Sequence, residues 1–337
     1  MTAASNPIAN GNVNAELLLQ FLRDPAWDAP FFKRLAHNDT GQAAGHQGGV
    51  VIPKELRNFF PTLDESLASA TAPTVDRSLA AEMFIPGRQL TTDVVRYQFQ
   101  TWGGTRQAES RITDNLGPIR NLAHAGDILI MQRNRERLDA FRLLLVRQSD
   151  EAFRRFYQLA ARKRWGPLFT DAPPISQSEL TEARTAMIAE TQQPFVAVRE
   201  GVPSRVATTR SAIARDAAFR AVLLAQYERR CAVSGIALTT RTVAETQAAH
   251  VVPLGRGGAD EPRNGFTLTS TLHWAFDRGL FAIDGNRCVI VPRSVQALRA
   301  NEWLAQFHGI AIREASTASM RTAQEAFAWH RQQTMWQ

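Results

Sequence analysis

The chain contains little cysteine, little lysine and no long apolar run. Its only cysteines are Cys231 and Cys288, without a CxxC pair. A structural zinc site needs about four nitrogen or sulfur ligands, so the sequence argues against a zinc-ribbon brace. No stretch reaches the roughly 18 apolar residues of a membrane helix. Residues 1–22 lack a basic start and a continuous apolar run, so we expect no secretory signal, no membrane partner and a cytoplasmic protein.

Arginine supplies almost all of the positive charge. The 39 basic residues are 36 Arg and 3 Lys, and the formal net charge is +7. This balance favours a polyanionic partner such as nucleic acid, although the solvated surface of a mildly basic protein explains it equally well. Arginine suits bidentate contacts with phosphate and guanine, but genome composition can produce the same bias.

The length of 337 residues predicts two domains. Residues 30–150 contain short apolar runs separated by turn residues, which is typical of a barrel or sandwich. A Pro-containing, polar stretch then reads as a linker. We expect an α+β protein with an N-terminal β-domain over residues 1–168, a linker over 169–204, and a C-terminal domain over 205–337 with flanking helices. Its expected strands include CAVSGI, TVAETQAAHVVP and the FAIDGNRCVIVP hairpin, followed by the helices QALRANEWLAQFHG and TAQEAFAWHRQQTMW.

The most informative segment runs from Ala248 to Leu280, AAHVVPLGRGGADEPRNGFTLTSTLHWAFDRGL. His250 ends an apolar, β-prone run, and Asn264 lies in a turn before the next one. His273 and Asp277 are four residues apart and therefore share one face of a predicted helix.

These residue types suit phosphodiester hydrolysis, which needs an activated water and charge neutralisation at the phosphate. His250 at a strand end can accept a proton from water. Asn264 can hold a neighbouring backbone or ring group. His273 and Asp277 can bind a divalent metal, Mg²⁺ or Mn²⁺, although Asp277 is equally well explained as a cap or ion-pair partner.

From about residue 210 to 336, the chain resembles the HNH endonuclease family of bacterial restriction-type proteins. The matching landmarks are RCAVSG, AAHVVP, NGFTLTSTLHWAFDRGLF and the later FHG and AWHRQQ. The resemblance implies a ββα-metal fold, with His250 as general base, Asn264 as the orienting residue and His273 as a metal ligand.

One position departs from the family pattern. Many HNH proteins carry Asp or His immediately before the first motif histidine, whereas this chain has Ala249. Three arrangements remain open. His273 and Asp277 hold the ion with a DNA phosphate, His250 is itself a ligand, or Glu245 or Asp260 reaches the site.

Two polar, glycine-rich segments stand out in the first domain. The first, residues 37–54, offers His37, Asn38, Thr40, His46 and Gln47 as hydrogen-bonding groups. The second, residues 103–115, contains types that read base edges and phosphates, namely Arg106, Gln107, Glu109, Arg111 and Thr113. Taken alone, a polar loop of this kind is most often a solvent loop.

Together the two segments resemble the DNA-clamping arms of the pseudobarrel domain in EcoRII-type effector modules and in the BfiI recognition domain. The likeness rests on NDTG-x-x-x-G-HQ-x-G and on GGT-R-x-x-E-x-R-I-T, and covers roughly residues 15–165. It implies that both arms grip the major groove of double-stranded DNA.

The sequence therefore predicts a sequence-specific, metal-dependent DNA endonuclease of restriction type. Because one HNH centre cuts one strand, we expect a homodimer, at least on DNA, and a cognate DNA methyltransferase as a further partner. Two alternatives remain: a non-catalytic DNA-binding protein with a degenerate HNH fold, favoured by Ala249, and a modification-dependent nuclease.

Overall fold

The computed structural model describes residues 14–43, 48–102, 107–135, 137–171, 173–198 and 209–334. The chain forms two compact units. Unit 1 contains residues 1–178 and 241–243, and unit 2 contains residues 179–240 and 244–337. Most of the expected linker, residues 169–204, therefore falls within unit 2.

Unit 1 is built around one curled, half-barrel sheet. Its strands are β1 (Phe31–Arg34), β2 (Val50–Ile52), β3 (Thr74–Ile85), β4 (Arg88–Gln100), β5 (Glu109–Thr113), β6 (Ile128–Arg133), β7 (Ala140–Val146) and β8 (Trp165–Pro167). The α-helices among the described residues of unit 1 are α1 (Ala15–Leu22), α2 (Lys54–Arg57), α3 (Gly117–Arg120) and α4 (Phe153–Leu159). The strand order is β2-β5-β4-β3-β7-β6-β1-β8, and every pair is antiparallel except β3 with β7.

The central strands bury both of their faces. In β6, Leu129 and Met131 enter the core inside the curled sheet, whereas Ile128 and Ile130 pack on the opposite face against α1 and α4. This division follows from the two-residue period of a strand. It explains why Ile128–Met131 of β6 and Leu143–Val146 of β7 are continuous apolar runs rather than alternating ones.

Unit 2 places short strands among helices. Its elements are α5 (Gln177–Glu190), α6 (Thr209–Gln226), β9 (Gln247–His250), β10 (Gly265–Leu268), α7 (Ser270–Asp277), β11 (Ala282–Ile283), β12 (Val289–Ile290), α8 (Arg293–Gln296), α9 (Glu302–Ala305) and α10 (Gln324–Thr334). Aromatic rings fill the core where these elements meet: Phe219, Phe266, Phe276, Phe281 and Phe327. The predicted α+β class is confirmed.

Two local expectations were wrong. Residues 231–236, CAVSGI, form a turn rather than a strand, because Gly235 adopts a φ of 70° and its N–H donates to the Cys231 carbonyl at 2.9 Å. The single helix expected over residues 296–309 is interrupted. Arg299–Asn301 forms a 3₁₀ turn between α8 and α9, and Asn301 Nδ2 donates to the Val295 carbonyl. Nowhere in the described residues is a helix long and apolar enough to cross a bilayer.

Candidate active site

Two antiparallel strands and one helix carry the predicted catalytic residues. β9 pairs with β10, and His250 at the end of β9 lies opposite Gly265. Thr269 caps α7 through its side chain. His273 therefore lies near the start of α7, and Asp277 is its last residue. The ββα arrangement expected from the spacing is present.

An open cleft of about 790 Å³ brings His250, His273 and Asp277 together. The fourth predicted residue, Asn264, does not line this cleft. Three basic side chains do: Arg220, Arg256 and Arg278. A cleft that combines imidazoles, a carboxylate and guanidinium groups suits a phosphate diester, because the arginines can neutralise its charge.

The ring of His250 is fixed from one side by α6. It stacks on Phe219, with centroids 3.8 Å apart and planes 2° from parallel. Gly265 permits this approach, because a Cβ there would lie 2.5 Å from Phe219 Cζ. His250 Nε2 lies 3.5 Å from Asp260 Oδ1, and 19% of the His250 side chain remains exposed.

Asn264 acts on the backbone rather than on a ring. Its side chain is buried, Oδ1 accepts from the Val252 N–H at 2.9 Å, and Nδ2 donates to the carbonyls of Val252 and Ala259 at 2.9 and 2.7 Å. Both donors and one acceptor are thus satisfied within one loop. Asn264 therefore closes the connection between β9 and β10, which begins directly after His250.

His273 has a defined orientation. Its Nδ1 lies 2.9 Å from Gln247 Oε1, an oxygen that can only accept, so Nδ1 donates. Nε2 is left with its lone pair, 3.7 Å from Asp277 Oδ2. Burial lowers the pKa of His273, Asp277 opposes this effect, and the charges of Arg220 and His250 reinforce it. The neutral imidazole needed by a metal ligand is therefore favoured.

No cluster of three or more His, Cys, Asp or Glu side chains among the described residues could hold a metal ion by itself. Ala249 is fully buried in the core. Glu245 Oε1 accepts from the Ser270 N–H at 2.7 Å, which places it at the start of α7. Asp260 pairs with His250. The donor set that remains, His273 and Asp277, is an imidazole and a half-exposed carboxylate, and it fits a divalent ion that takes its other ligands from water and phosphate.

A second polar cavity, of about 390 Å³, lies in unit 1. Both predicted arms contribute to it: Gly48 and Gly49 from the first, and Arg111 and Thr113 from the second. Its other polar lining includes Arg96, Gln98, Gln100, Asn115 and Arg120. The two segments that the sequence singled out therefore border one concave, basic surface.

The first arm is anchored by a buried ion pair. Lys33 Nζ lies 2.7 Å from Asp39, whose carboxylate also accepts from the N–H groups of Ala36 and Val51. Burial lowers the pKa of Lys33, and Asp39 opposes this effect. Arg120 donates to the Asp39 carbonyl at 3.1 Å. The conformation of this arm is therefore set by residues on three separate elements.

The predicted DNA-contacting residues differ in exposure. His37, Asn38 and Gln107 are exposed, whereas Thr40 is buried and its hydroxyl donates to the His37 carbonyl. Glu109 pairs with Arg111 on β5. Three more of these residues, His46, Gln47 and Arg106, lie outside the described residues.

Two segments of the chain match known families. Residues 27–150 match the N-terminal domain of the restriction endonuclease EcoRII, and residues 231–284 match the HNH endonuclease family. The chain carries an EcoRII-N domain followed by an HNH domain. No curated protein matches the chain.

Two solved structures are similar to part of the chain. The modification-dependent TagI restriction endonuclease is 24% identical over 33% of this chain, with a TM-score of 0.28. The UbaLAI restriction endonuclease B3 domain with cognate DNA is 20% identical over 38% of this chain and 76% of its own, with a TM-score of 0.27. The match spans 35% of the length of TagI.

Sequence reasoning missed Arg220, which lines the cleft, and Gln247, which contacts His273. Arg220 reaches the cleft from α6, thirty residues before His250, and no local pattern indicates that approach. Gln247 carries a weak signal, since it is a polar residue inside an apolar strand. Asp260 was anticipated near the metal, but the structure places it against His250 instead.

Proposed function

We propose that this chain is a sequence-specific, divalent-metal-dependent DNA endonuclease of restriction type. The proposal rests on one observation: His250, His273 and Asp277 line the same cleft, together with three arginines. A general base, metal-binding groups and phosphate-binding groups can therefore act on the same phosphodiester. Hydrolysis of a phosphodiester requires this combination.

His250 takes a proton from the attacking water, which is a role suited to an imidazole at neutral pH. Asn264 supports it by fixing the loop that follows β9. Arg220, Arg256 and Arg278 bind the phosphate oxygens on either side of the scissile bond. The stacked Phe219 ring restricts rotation of the His250 imidazole before DNA arrives.

His273 and Asp277 are the residues that would hold the metal. We assign Mg²⁺, with Mn²⁺ as a substitute, because Mg²⁺ keeps several waters and is bound by few protein groups together with substrate phosphate. When bound, the ion would neutralise charge on a non-bridging oxygen and on the leaving oxygen. Gln247 keeps His273 Nε2 available through its contact with Nδ1.

The EcoRII-N domain recognises the site in double-stranded DNA. Exposed His37, Asn38 and Gln107 on the two arms contact base edges, together with His46, Gln47 and Arg106. Arg111 and Thr113, both buried, line the basic concave surface and are the groups that meet the phosphates there, while Glu109 orients Arg111 and Thr40 stabilises the first arm. Phosphate contacts set the register of the protein on DNA and base contacts set its specificity.

Two further partners follow from this activity. One HNH centre hydrolyses one strand, so a double-strand break requires two copies, as a homodimer or as two molecules meeting on DNA. Host DNA would need protection, which a cognate methyltransferase supplies. Light scattering with and without DNA tests the first point. A monomer in both conditions that still makes double-strand breaks would contradict it.

The direct test is plasmid cleavage with Mg²⁺, Mn²⁺ or EDTA, using methylated and unmethylated DNA. Discrete metal-dependent bands are expected, and sequencing of the ends would identify the site. Cleavage of methylated plasmid alone would indicate a modification-dependent nuclease. A second candidate is a non-catalytic DNA-binding protein, favoured by the absence of a three-ligand cluster among the described residues. Tight binding without cleavage of any plasmid would select it.

A further inference from the structure

Asp260 lies between His250 and an arginine of α6. Its Oδ1 is 3.5 Å from His250 Nε2, and its Oδ2 is 2.9 Å from Arg215 Nε. Both atoms are buried, and neither has a hydrogen-bond partner among the described residues. The polar contact that the structure gives each of them is the ion-pair approach to the other at 3.5 Å.

Arg215 holds this carboxylate from behind. Its Nη2 donates to the Asp260 carbonyl at 2.8 Å and to Glu190 Oε1 at 3.2 Å, so the guanidinium is itself fixed by three contacts. Burial would raise the pKa of Asp260, but the interactions with His250 and Arg215 outweigh it and lower that pKa. Asp260 is thus a carboxylate at neutral pH and can only accept hydrogen bonds.

The backbone around Asp260 is fixed by Asn264. The Asn264 side chain binds Val252, two residues after His250, and Ala259, immediately before Asp260. The buried Asn264 side chain therefore sets the distance between the start of the loop, just after His250, and Asp260. Asn264 thus influences His250 by fixing where Asp260 lies.

The stack on Phe219 fixes the plane of the His250 ring. The tautomer, that is, which ring nitrogen carries the proton, is set by other contacts. An acceptor-only carboxylate opposite Nε2 favours the tautomer with hydrogen on Nε2. The lone pair then lies on Nδ1.

We propose that Asp260 is a positioning residue that keeps the proton on His250 Nε2, so that Nδ1 is the atom that deprotonates the attacking water. In this step one water O–H bond breaks and the Nδ1–H bond forms. The water oxygen bonds to phosphorus, and the leaving oxygen departs and takes a proton from solvent. The Asp260 carboxylate stabilises the imidazolium that results. This assignment rests on the proposed nuclease function.

The substitution Asp260→Asn tests the assignment with little change in volume. Arg215 still needs an acceptor, so the asparagine oxygen turns toward it and the NH₂ group faces His250 Nε2. The proton is then forced onto Nδ1, where it blocks the base. We expect cleavage at saturating DNA to slow by about 10²- to 10⁴-fold, with unchanged DNA affinity. The control Glu302→Gln makes the same chemical change at an exposed site and should cleave normally.

A second readout does not need cleavage. NMR of ¹⁵N-labelled imidazoles, with His250 assigned through His250→Gln, reports the tautomer in the free protein. The wild type should carry hydrogen on Nε2, and Asp260→Asn should carry it on Nδ1.

A wild type with hydrogen on Nδ1, or Asp260→Asn cleaving within twofold of wild type, overturns the role of Asp260 and leaves the nuclease function standing. A wild type with hydrogen on Nε2 that cleaves no DNA overturns the nuclease function, and with it the catalytic part of this assignment.

Discussion

His250 and Phe219 stack face to face, with ring centroids 3.8 Å apart. The two residues are 31 positions apart in sequence, one at a strand end and the other in a helix. An imidazole that serves as a base must present one nitrogen in one direction, and an aromatic wall restricts its rotation. The proposed catalytic base is therefore oriented by a buried core residue of α6.

Replacing Phe219 with leucine should separate this orientation from general packing. The variant keeps an apolar side chain in the core but loses the stack, which is worth about 0.5–1.5 kcal/mol. We expect a cleavage rate up to about tenfold lower at saturating DNA, with unchanged DNA affinity. Single-turnover kinetics measure this rate. A loss of DNA affinity with an unchanged rate would contradict the orienting role.

Gly265→Ala should disturb the same contact from the opposite strand. The new Cβ would lie 2.5 Å from Phe219 Cζ and 2.6 Å from Leu223 Cδ1, both in the core. Overpacking of this kind costs about 1–3 kcal/mol. Chemical denaturation should show that loss, and cleavage should slow. The matched control is Gly285→Ala, where a Cβ meets nothing within 4 Å. Equal stability of the two variants would refute the close approach.

Gln247→Leu should weaken metal binding without changing any proposed ligand. The substitution removes the acceptor for His273 Nδ1, so the ring is no longer held in one tautomer. Loss of such a supporting contact typically costs 10- to 100-fold in metal affinity or activity. The Mn²⁺ concentration for half-maximal cleavage should rise by about that factor in Gln247→Leu. It should rise less in Gln247→Glu, because glutamate keeps an acceptor for His273 Nδ1. An unchanged metal requirement in Gln247→Leu would remove Gln247 from the site.

His330 should make unit 2 less stable in mild acid. Burial lowers its pKa to about 4 in the folded chain, whereas the unfolded value is about 6.5. Below about pH 6.5 the unfolded state binds a proton that the folded state does not. The contribution of neutral His330 to the free energy of unfolding is therefore fully present above pH 6.5. It falls by about 3 kcal/mol as the pH drops from 6.5 toward 4.

Hydrogen exchange of the α10 amides between pH 4 and 7, corrected for intrinsic rates, measures this dependence. His330→Gln is the comparison, because its amide can still donate to the Phe276 carbonyl that Nε2 reaches at 3.0 Å. In the variant, the protection of the α10 amides should depend less on pH than in wild type. The same pH dependence in both proteins would mean that a group other than His330 causes the acid sensitivity.

Asn38→Ala should reduce specificity more than affinity for DNA in general. Asn38 is exposed on the first arm, and a bidentate base contact is worth about 1–3 kcal/mol of discrimination. Binding to the cognate site should weaken by tenfold or more, while binding to random DNA stays the same. Fluorescence anisotropy with both DNAs at one salt concentration makes the comparison. Equal loss on both would make Asn38 a phosphate contact.

Local sequence patterns predicted the elements that carry the site better than the contacts between them. The apolar, β-prone run that His250 ends and the four-residue spacing of His273 and Asp277 indicated a strand and a helix face, and the structure brings these three residues into one cleft. Strand β3 was missed because its first half is exposed and polar and its middle contains two alanines, which favour strands weakly.

The partners of the site residues could not be predicted from spacing. Phe219 and Arg215 approach from α6, and Gln247 meets His273 only because β9 lies beside α7. Asp260 illustrates the limit most clearly. The sequence placed it near the site as a possible metal ligand, but only the loop closed by Asn264 turns it toward His250.

The most direct test compares wild type with His250→Ala and His273→Ala in metal-dependent cleavage of one plasmid, with DNA affinity measured in parallel. We expect discrete cleavage by wild type in Mg²⁺ or Mn²⁺, none in EDTA, and a loss of about 10²-fold or more in each variant with DNA affinity retained. Cleavage that persists in His250→Ala, or wild type that binds DNA tightly and cleaves no plasmid in either metal, would contradict this expectation.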